Sequence, residues 1–357
     1  LARRAAAVDV LDPSEEDLEV NHLRHETQAG LSNLRYIRGT LTGGEPLPEA
    51  AYDYVVIAGS LGGEPEEELK AARRLLAPEG ELLTAVCNPF GLKYWAGARR
   101  DACGLPWNRL RQALLAEGGV MDCYYPMPDW RLPVTIFSDR YLPGKGDLTD
   151  TITAYDYPPY LFVDVGAAYD AVCADGQFPA YAGAYLTVWR RKGTGPETPQ
   201  YVKYNRTRRE RFQIRTAIYG GPEGRYVEKT ALDLEGAPHI WSFQTDYAQL
   251  SRQHQVLQFA RPRLSQDRCS AGFPYLVGET LAERLGRDIA GGKGPEAAVR
   301  QALDQLFAAE DGCRTAFVMT PEFAECFGGE WEAELAGKSC LAISNIDMLY
   351  ENILLTE

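Results

Sequence analysis

Residues 51–98 read AYDYVVIAGSLGGEPEEELKAARRLLAPEGELLTAVCNPFGLKYWAGA, and their pattern predicts a strand, a helix and a second strand. Residues 54–58 are a short apolar run rich in valine and closed by Gly59, as expected of a strand buried on both faces of a parallel sheet. Glu66, Glu67 and Glu68 fall in the first turns of the helix, where its dipole favours anions, and Arg73 and Arg74 fall near its end. Leu69, Ala72 and Leu76 keep one face apolar, and Pro78 and Gly80 stop it. Residues 82–86 predict the second strand, with Asn88 just past its carboxyl end. Such a βαβ unit is right-handed in nearly all cases, and sheets of this kind bind ligands at the carboxyl ends of their strands. Gly59, Ser60 and Asn88 are therefore placed for small-molecule chemistry.

With 357 residues the chain is long enough for two or three domains with sizeable cores. The net charge of -13 argues against non-specific nucleic-acid binding, which needs a positive field. Eight cysteines occur without a CxxC pair, which suggests neither a zinc site nor a disulfide framework and reads as reduced thiols of a cytoplasmic protein. No apolar run approaches the roughly 18 residues of a membrane span, and Asp9 interrupts the one apolar run near the start, so no signal peptide is expected. The first residue is Leu1 rather than methionine and the last residues run apolar, so both ends read as cut.

Outward from the central unit, residues 1–4 read as the tail of a helix and residues 5–11 as a strand carrying Asp9. Ser14 with Asp17 reads as a capping signature for a helix to about Thr27. Residues 34–38 predict a strand followed by Gly39 and Thr40. After a helix over 107–117, a strand over 121–125, a tyrosine- and proline-rich insertion at about 126–178 and a closing strand over 184–190, the first domain ends near 192. This order predicts a doubly wound α/β domain. Residues 193–200 read as a linker. Beyond it, residues 212–219 and 225–231 predict a hairpin, Ile240, Phe243, Tyr247 and Leu250 an amphipathic helix, residues 271–277 a strand, and helices open at Thr280 and Pro295. A β-rich lobe (201–277) thus precedes a helical lobe (278–357). His22 and His25, three apart, invite a metal reading, but no other His or Cys cluster supports it, and a solvated helix face is preferred.

Residues 88–98, NPFGLKYWAGA, and residues 124–148, YYPMPDWRLPVTIFSDRYLPGKGDL, resemble stretches of class I methyltransferases from bacterial surface-polysaccharide gene clusters. The resemblance covers most of 1–190 and departs between Asp101 and Trp107, where this chain is shorter. It implies a Rossmann-like sheet that binds S-adenosylmethionine, with a glycine-rich turn upstream of Leu1. It also implies an acidic residue that ends a strand and binds the cofactor ribose, the place assigned to Asp9; the cofactor positions then comprise Asp9, Thr40, Gly59, Ser60 and Asn88. A solvated turn carboxylate is the plain alternative for Asp9. Tyrosines 124, 125, 141, 155, 157 and 160 with Trp130 offer a surface on which sugar rings stack, although aromatic residues more often serve a core.

The end of the chain, residues 345–354, reads NIDMLYENIL. Asp347, four residues, then Asn352 and two aliphatics resemble the catalytic loop of kinases, in which the Asp orients the acceptor hydroxyl and the Asn binds magnesium. Asn345 stands where such loops carry His or Tyr. The same resemblance makes Lys229, in the second hairpin strand, the phosphate-binding lysine and Asp246, on the following helix, its acidic partner. It makes residues 273–281, FPYLVGETL, the hinge that pairs with adenine, and expects a further metal-binding Asp beyond Glu357. The loop over 205–211 is arginine-rich rather than glycine-rich, and arginines 206, 208, 209, 211 and 215 are candidates to clamp phosphates.

The fold expected is a Rossmann-like methyltransferase sheet followed by a two-lobed, kinase-like α+β domain, as in enzymes that cap O-antigen-type chains. The resemblance implies methyl transfer from S-adenosylmethionine to a sugar or phosphosugar and phosphoryl transfer from ATP with Mg2+. It also implies a glycan partner and peripheral association with a membrane-bound glycan complex. Two alternatives stay open: a methyltransferase whose second domain is a non-catalytic binding module, and a nicotinamide-dependent oxidoreductase, since Asp9 suits NAD equally.

Overall fold

The computed structural model describes residues 1–59, 61, 64–100, 104–148, 160–193, 197–221, 224–345 and 347–355. The chain opens with a turn at residues 1–4 rather than the end of a helix, closed by the Arg4 amide on the Leu1 carbonyl. Strand β1 (Val8–Asp12) follows, then helix α1 (Glu15–His22), which Ser14 caps by accepting from the Asp17 amide. A π-helical turn, Leu23–Thr27, continues it. Strand β2 (Leu34–Thr40) lies parallel to β1, and β3 (Gly43–Gly44) folds back on its end.

The predicted βαβ unit forms as β4 (Tyr52–Gly59), α2 (Pro65–Leu75) and β5 (Leu76–Cys87), with β4 and β5 parallel and adjacent. The helix stops at Leu75, before Pro78: Leu76 leaves helical dihedrals and the long strand starts there. Leu69, Ala72, Leu76 and Leu82 are fully buried, so the apolar stripe of α2 packs on the sheet as its spacing requires. After short α3 (Leu92–Trp95) and α4 (Trp107–Leu115), the chain adds β6 (Val120–Met127), β7 (Thr135–Ser138), α5 (Val165–Ala174), α6 (Phe178–Tyr181) and β8 (Ala184–Arg190). Strand β8 runs antiparallel between β5 and β6, and β7 pairs with β6. Of the segment expected to be an insertion, residues 135–138 join the sheet as β7, and α5 and α6 pack on the core, where Tyr125, Phe137, Phe178 and Tyr185 make an aromatic cluster.

The chain divides into two compact units, Leu1–Lys203 and Tyr204–Glu357. Part of the expected linker is held by the first unit: Thr198 accepts from the Tyr124 hydroxyl, and Gln200 accepts from the Ser138 hydroxyl. Strand β9 (Tyr201–Asn205) then pairs with β7 through Val202 and Lys203.

In the second unit β10 (Ile214–Gly221) and β11 (Gly224–Ala231) form the predicted hairpin. Helix α7 (Ala237–Gln253) follows, then β12 (Arg263–Leu264) and β13 (Ser270–Pro274), which pairs with β11. The small core of Ile214, Ile240 and Ala271, with Phe243 and Phe273 against it, lies between this sheet and α7. Strand β14 (Glu279–Thr280) leads into α8 (Leu281–Ala290), which carries a full capping box of Thr280 and Glu283. Helix α9 (Pro295–Glu310), β15 (Arg314–Ala316), α10 (Pro321–Phe327), α11 (Glu332–Leu335), β16 (Ser339–Leu341) and β17 (Leu354–Leu355) complete the unit; β17 pairs with β14 and β16 with β15. No helix among the described residues is long and apolar enough to cross a membrane.

Candidate functional site

In the first unit the carboxyl ends of the parallel strands carry Asp12, Thr40, Gly59 and Asn88. Asp9 is the second residue of β1, not its last, and its carboxylate is already engaged: Arg35 donates twice, at 3.0 and 2.6 Å, and the Tyr52 hydroxyl donates as well. The guanidinium of Arg35 holds the Asp9 carboxyl below the usual range, and burial with the Asp9 bond pushes the Tyr52 phenol up to about 12. The residue at the carboxyl end of β1 is Asp12, three residues on and so on the opposite face of the strand. Asp12 accepts the Ser14 amide through Oδ1 at 2.8 Å, and its Oδ2 has no partner among the described residues.

Thr40 closes the turn to Gly43 from an exposed position. Gly59 adopts φ +100, and a Cβ there would stand 3.3 Å from the Trp130 ring, so Trp130 covers this strand end. The Trp130 indole N–H is buried without a partner among the described residues. Ser60 lies outside the described residues. Asn88 is not a free ligand: it is fully buried, donates to the Ala180 and Ala182 carbonyls at 2.8 Å each, and accepts from the Phe90 amide. Among the described residues the expected sugar-stacking tyrosines do not form one exposed surface. Tyr124 and Tyr125 belong to the core, Tyr160 is exposed, and Tyr155 and Tyr157 lie outside the described residues.

The two stretches that carry the family resemblance meet. Lys93, 2% exposed, donates to Asp129, 0% exposed, at 2.7 Å. Asp129 also accepts from the Arg131 backbone and guanidinium, and Cys87 lies against both partners. The Arg131 guanidinium stacks over Trp130 at 4.7 Å. A buried ion pair with an additional cation thus underlies the aromatic ring that covers Gly59. The pairing was not visible in the sequence, where Lys93 and Asp129 sit in separate motifs.

In the second unit Lys229 is half-buried, with its ammonium 5.8 Å from the Phe243 ring and 5.7 Å from the Phe273 ring. Burial lowers its pKa; the Asp347 carboxylate acts to raise it, and the Arg208 guanidinium lowers it further. Lys229 and Asp347, 118 positions apart, are therefore near enough to interact. Asn352 donates its Nδ2 to the Asp347 carbonyl at 2.9 Å, which leaves its amide oxygen for another partner, and Asn345 receives the Asp347 amide. Asp246 does not pair with Lys229: it is exposed, one turn beyond Phe243, and acts on His239 instead. Phe243 occupies the place expected of the acid. His239 stacks edge-on against Phe212 and Phe243, and burial, Arg208 and Lys229 hold its imidazole pKa down.

No cluster of three or more His, Cys, Asp or Glu side chains suited to a metal occurs among the described residues. His22 pairs with Glu26 on the exposed face of the first helix.

No family model matches the chain, and no curated protein does. Solved structures similar to it include SAM-dependent methyltransferases. One from Aquifex aeolicus is 18% identical, with a TM-score of 0.25 over 32% of this chain and 60% of that one. One from Thermotoga maritima is 13% identical, with a TM-score of 0.32 over 51% and 72%. One from Mesorhizobium loti is 17% identical, with a TM-score of 0.30 over 52% and 81%. The chain spans less than two thirds of the length of the first.

Proposed function

We propose that the first unit is an S-adenosylmethionine-dependent methyltransferase that acts on a hydroxyl of a sugar or phosphosugar in surface-polysaccharide biosynthesis. The observation that carries this reading is the partnerless carboxylate oxygen of Asp12 at the end of a parallel strand, where a cofactor ribose is expected. The motifs at 88–98 and 124–148 support the acceptor class through the resemblance. S-adenosylmethionine supplies a methyl group on a sulfonium, so the protein has mainly to bind, align and exclude water. Asp12 receives the ribose hydroxyls, and Trp130, buttressed by the buried Lys93–Asp129 pair, walls the strand end. Calorimetry with S-adenosylmethionine tests the assignment. Asp12→Asn should weaken binding about ten- to hundredfold, the cost of a charge-assisted hydrogen bond, while Asp9→Asn leaves affinity unchanged. The reverse result overturns it.

A second reading concerns the second unit, a kinase-like phosphotransferase that uses ATP and Mg2+ on a hydroxyl of the same glycan. It is supported by the Asp347 carboxylate acting electrostatically on Lys229 and by Asn352 donating to the Asp347 carbonyl. ATP supplies the phosphoryl group. Lys229 steadies phosphate charge, Asp347 takes the acceptor proton, and the Asn352 amide oxygen is available to magnesium. A cytoplasmic site, with peripheral contact to a membrane-bound glycan complex, accords with this reading.

A further inference from the structure

We propose that the outer face of α7 is a binding groove for an acidic oligosaccharide, a site that does not depend on either reading above. An open groove of about 640 Å³ runs along this face, bordered by the turn that carries Arg268. Its volume falls within the roughly 300–1,000 Å³ of small-molecule sites. Trp241, Gln244, Ala248 and Arg252, three or four positions apart, line it from the helix, on the side away from the buried Ile240 and Leu250.

Each end of the groove carries a positive charge. The Arg268 guanidinium stacks over the Trp241 ring at 4.5 Å, and the Trp241 indole N–H donates to the Arg268 carbonyl at 3.0 Å. These two contacts fix the ring and the guanidinium against each other, yet the tryptophan stays 44% exposed. Stacking uses the flat face of a guanidinium and leaves its in-plane N–H donors to bind an anion. Arg252 stands three turns farther along α7 than Trp241, about 16 Å by the helical rise. Neither guanidinium has an ion-pair or hydrogen-bond partner among the described residues, and no carboxylate among them lines the groove. Asp267, next to Arg268 in the chain, is committed to the turn, where it accepts from the Ser265 hydroxyl and the Cys269 amide. In a chain of net charge -13, a groove with two cations and no acid selects anions. Gln244 and Gln249 add side-chain amides that have no hydrogen-bond partner among the described residues. Such an amide both donates and accepts, as a hydroxyl does, and the exposed indole gives the C–H face of a sugar ring an apolar surface. Charges at the two ends with neutral amides between them match an extended ligand that bears acidic groups on successive hydroxylated units.

Titration calorimetry on the full chain tests the proposal with trigalacturonate, maltotriose and triglutamate: an acidic trisaccharide, a neutral one and a peptide of the same net charge as the first. Trigalacturonate should bind at least about tenfold more tightly than either of the others, the worth of a charge-assisted hydrogen bond. Arg252→Gln and Arg268→Gly should each weaken it about ten- to hundredfold. Arg268 has φ +57, which glycine accepts without strain, so Arg268→Gly keeps the turn and its loss reads as one of binding. Arg300→Gln removes an exposed positive charge from α9 and should change the affinity less than about twofold. Trigalacturonate bound no more tightly than maltotriose, or bound unchanged by both groove variants, overturns the proposal. Triglutamate bound as tightly as trigalacturonate overturns the saccharide class and assigns the groove to an acidic peptide.

Discussion

Removing either partner of the Lys93–Asp129 pair should be among the most damaging substitutions in the first unit. The two side chains are 2% and 0% exposed and lie 2.7 Å apart, so neither can turn to water when the other is lost. Breaking a buried pair from one side costs about 3–5 kcal/mol, because the remaining charge is left uncompensated. For a unit of 203 residues, 1 kcal/mol corresponds to roughly 2–4 °C in melting temperature, so Asp129→Leu should lower it by roughly 6–20 °C, and Lys93→Met by less, because the Arg131 guanidinium still donates to Asp129. The double substitution replaces the pair with apolar volume and should recover most of the loss, since such replacements are often neutral or stabilising. Thermal unfolding of the parent, both single variants and the double variant gives the coupling directly. Singles that each cost less than about 1 kcal/mol, or a double variant as damaged as their sum, would refute the picture of a desolvated, mutually dependent pair.

Asp9 should matter for acid stability: its carboxyl is held below the ordinary value of 3.8. Its contribution is then present above that value and lost as pH falls through the folded one, so Asp9→Asn should flatten this part of the stability–pH curve. Lys229 behaves in the opposite sense, because burial lowers its pKa from 10.5. Between the lowered value and 10.5 the unfolded chain binds more protons, so stability rises with pH, and urea titrations of Lys229→Met should lack that rise. Gly119 has φ +96, and a Cβ there would stand 2.6 Å from the Arg190 carbonyl. Gly119→Ala should therefore cost about 2–5 kcal/mol in denaturant unfolding, from backbone strain together with overpacking.

What the sequence made legible follows from the range of the interactions involved. The βαβ element could be read because its signals are local: a continuous apolar run, acids at the start of the helix and arginines at its end. The setting of Asp9 was not local in this way: its carboxylate is bonded by Arg35 and Tyr52, which lie 26 and 43 positions away. Asn88 follows a strand as expected, but its amide is consumed by carbonyls 92 and 94 positions later. The strand's end at Asp12 was legible, since it stands directly before Pro13 and the capping Ser14. In the second unit the register of Lys229 is set opposite Thr216 and Ala271, which levels its ammonium with Phe243 rather than with Asp246. Helical spacing alone leaves a choice of three residues, about 4.5 Å along the axis.

The short pairing of β14 with β17 makes two distant parts of the second unit mechanically inseparable. Thr280 is bonded opposite Leu354, and the Leu281 amide donates to the Ile353 carbonyl at 2.8 Å, immediately beyond Asn352. The start of α8 and the end of the Asp347–Asn352 loop therefore act as a single hinge leaf. A force that tilts the helix also drags the Asn352 amide, and a ligand that draws on that amide pulls back on the helix. The Thr280–Glu283 capping box sits at the pivot, so the stiffness of the loop is set in part by residues that no ligand there need touch.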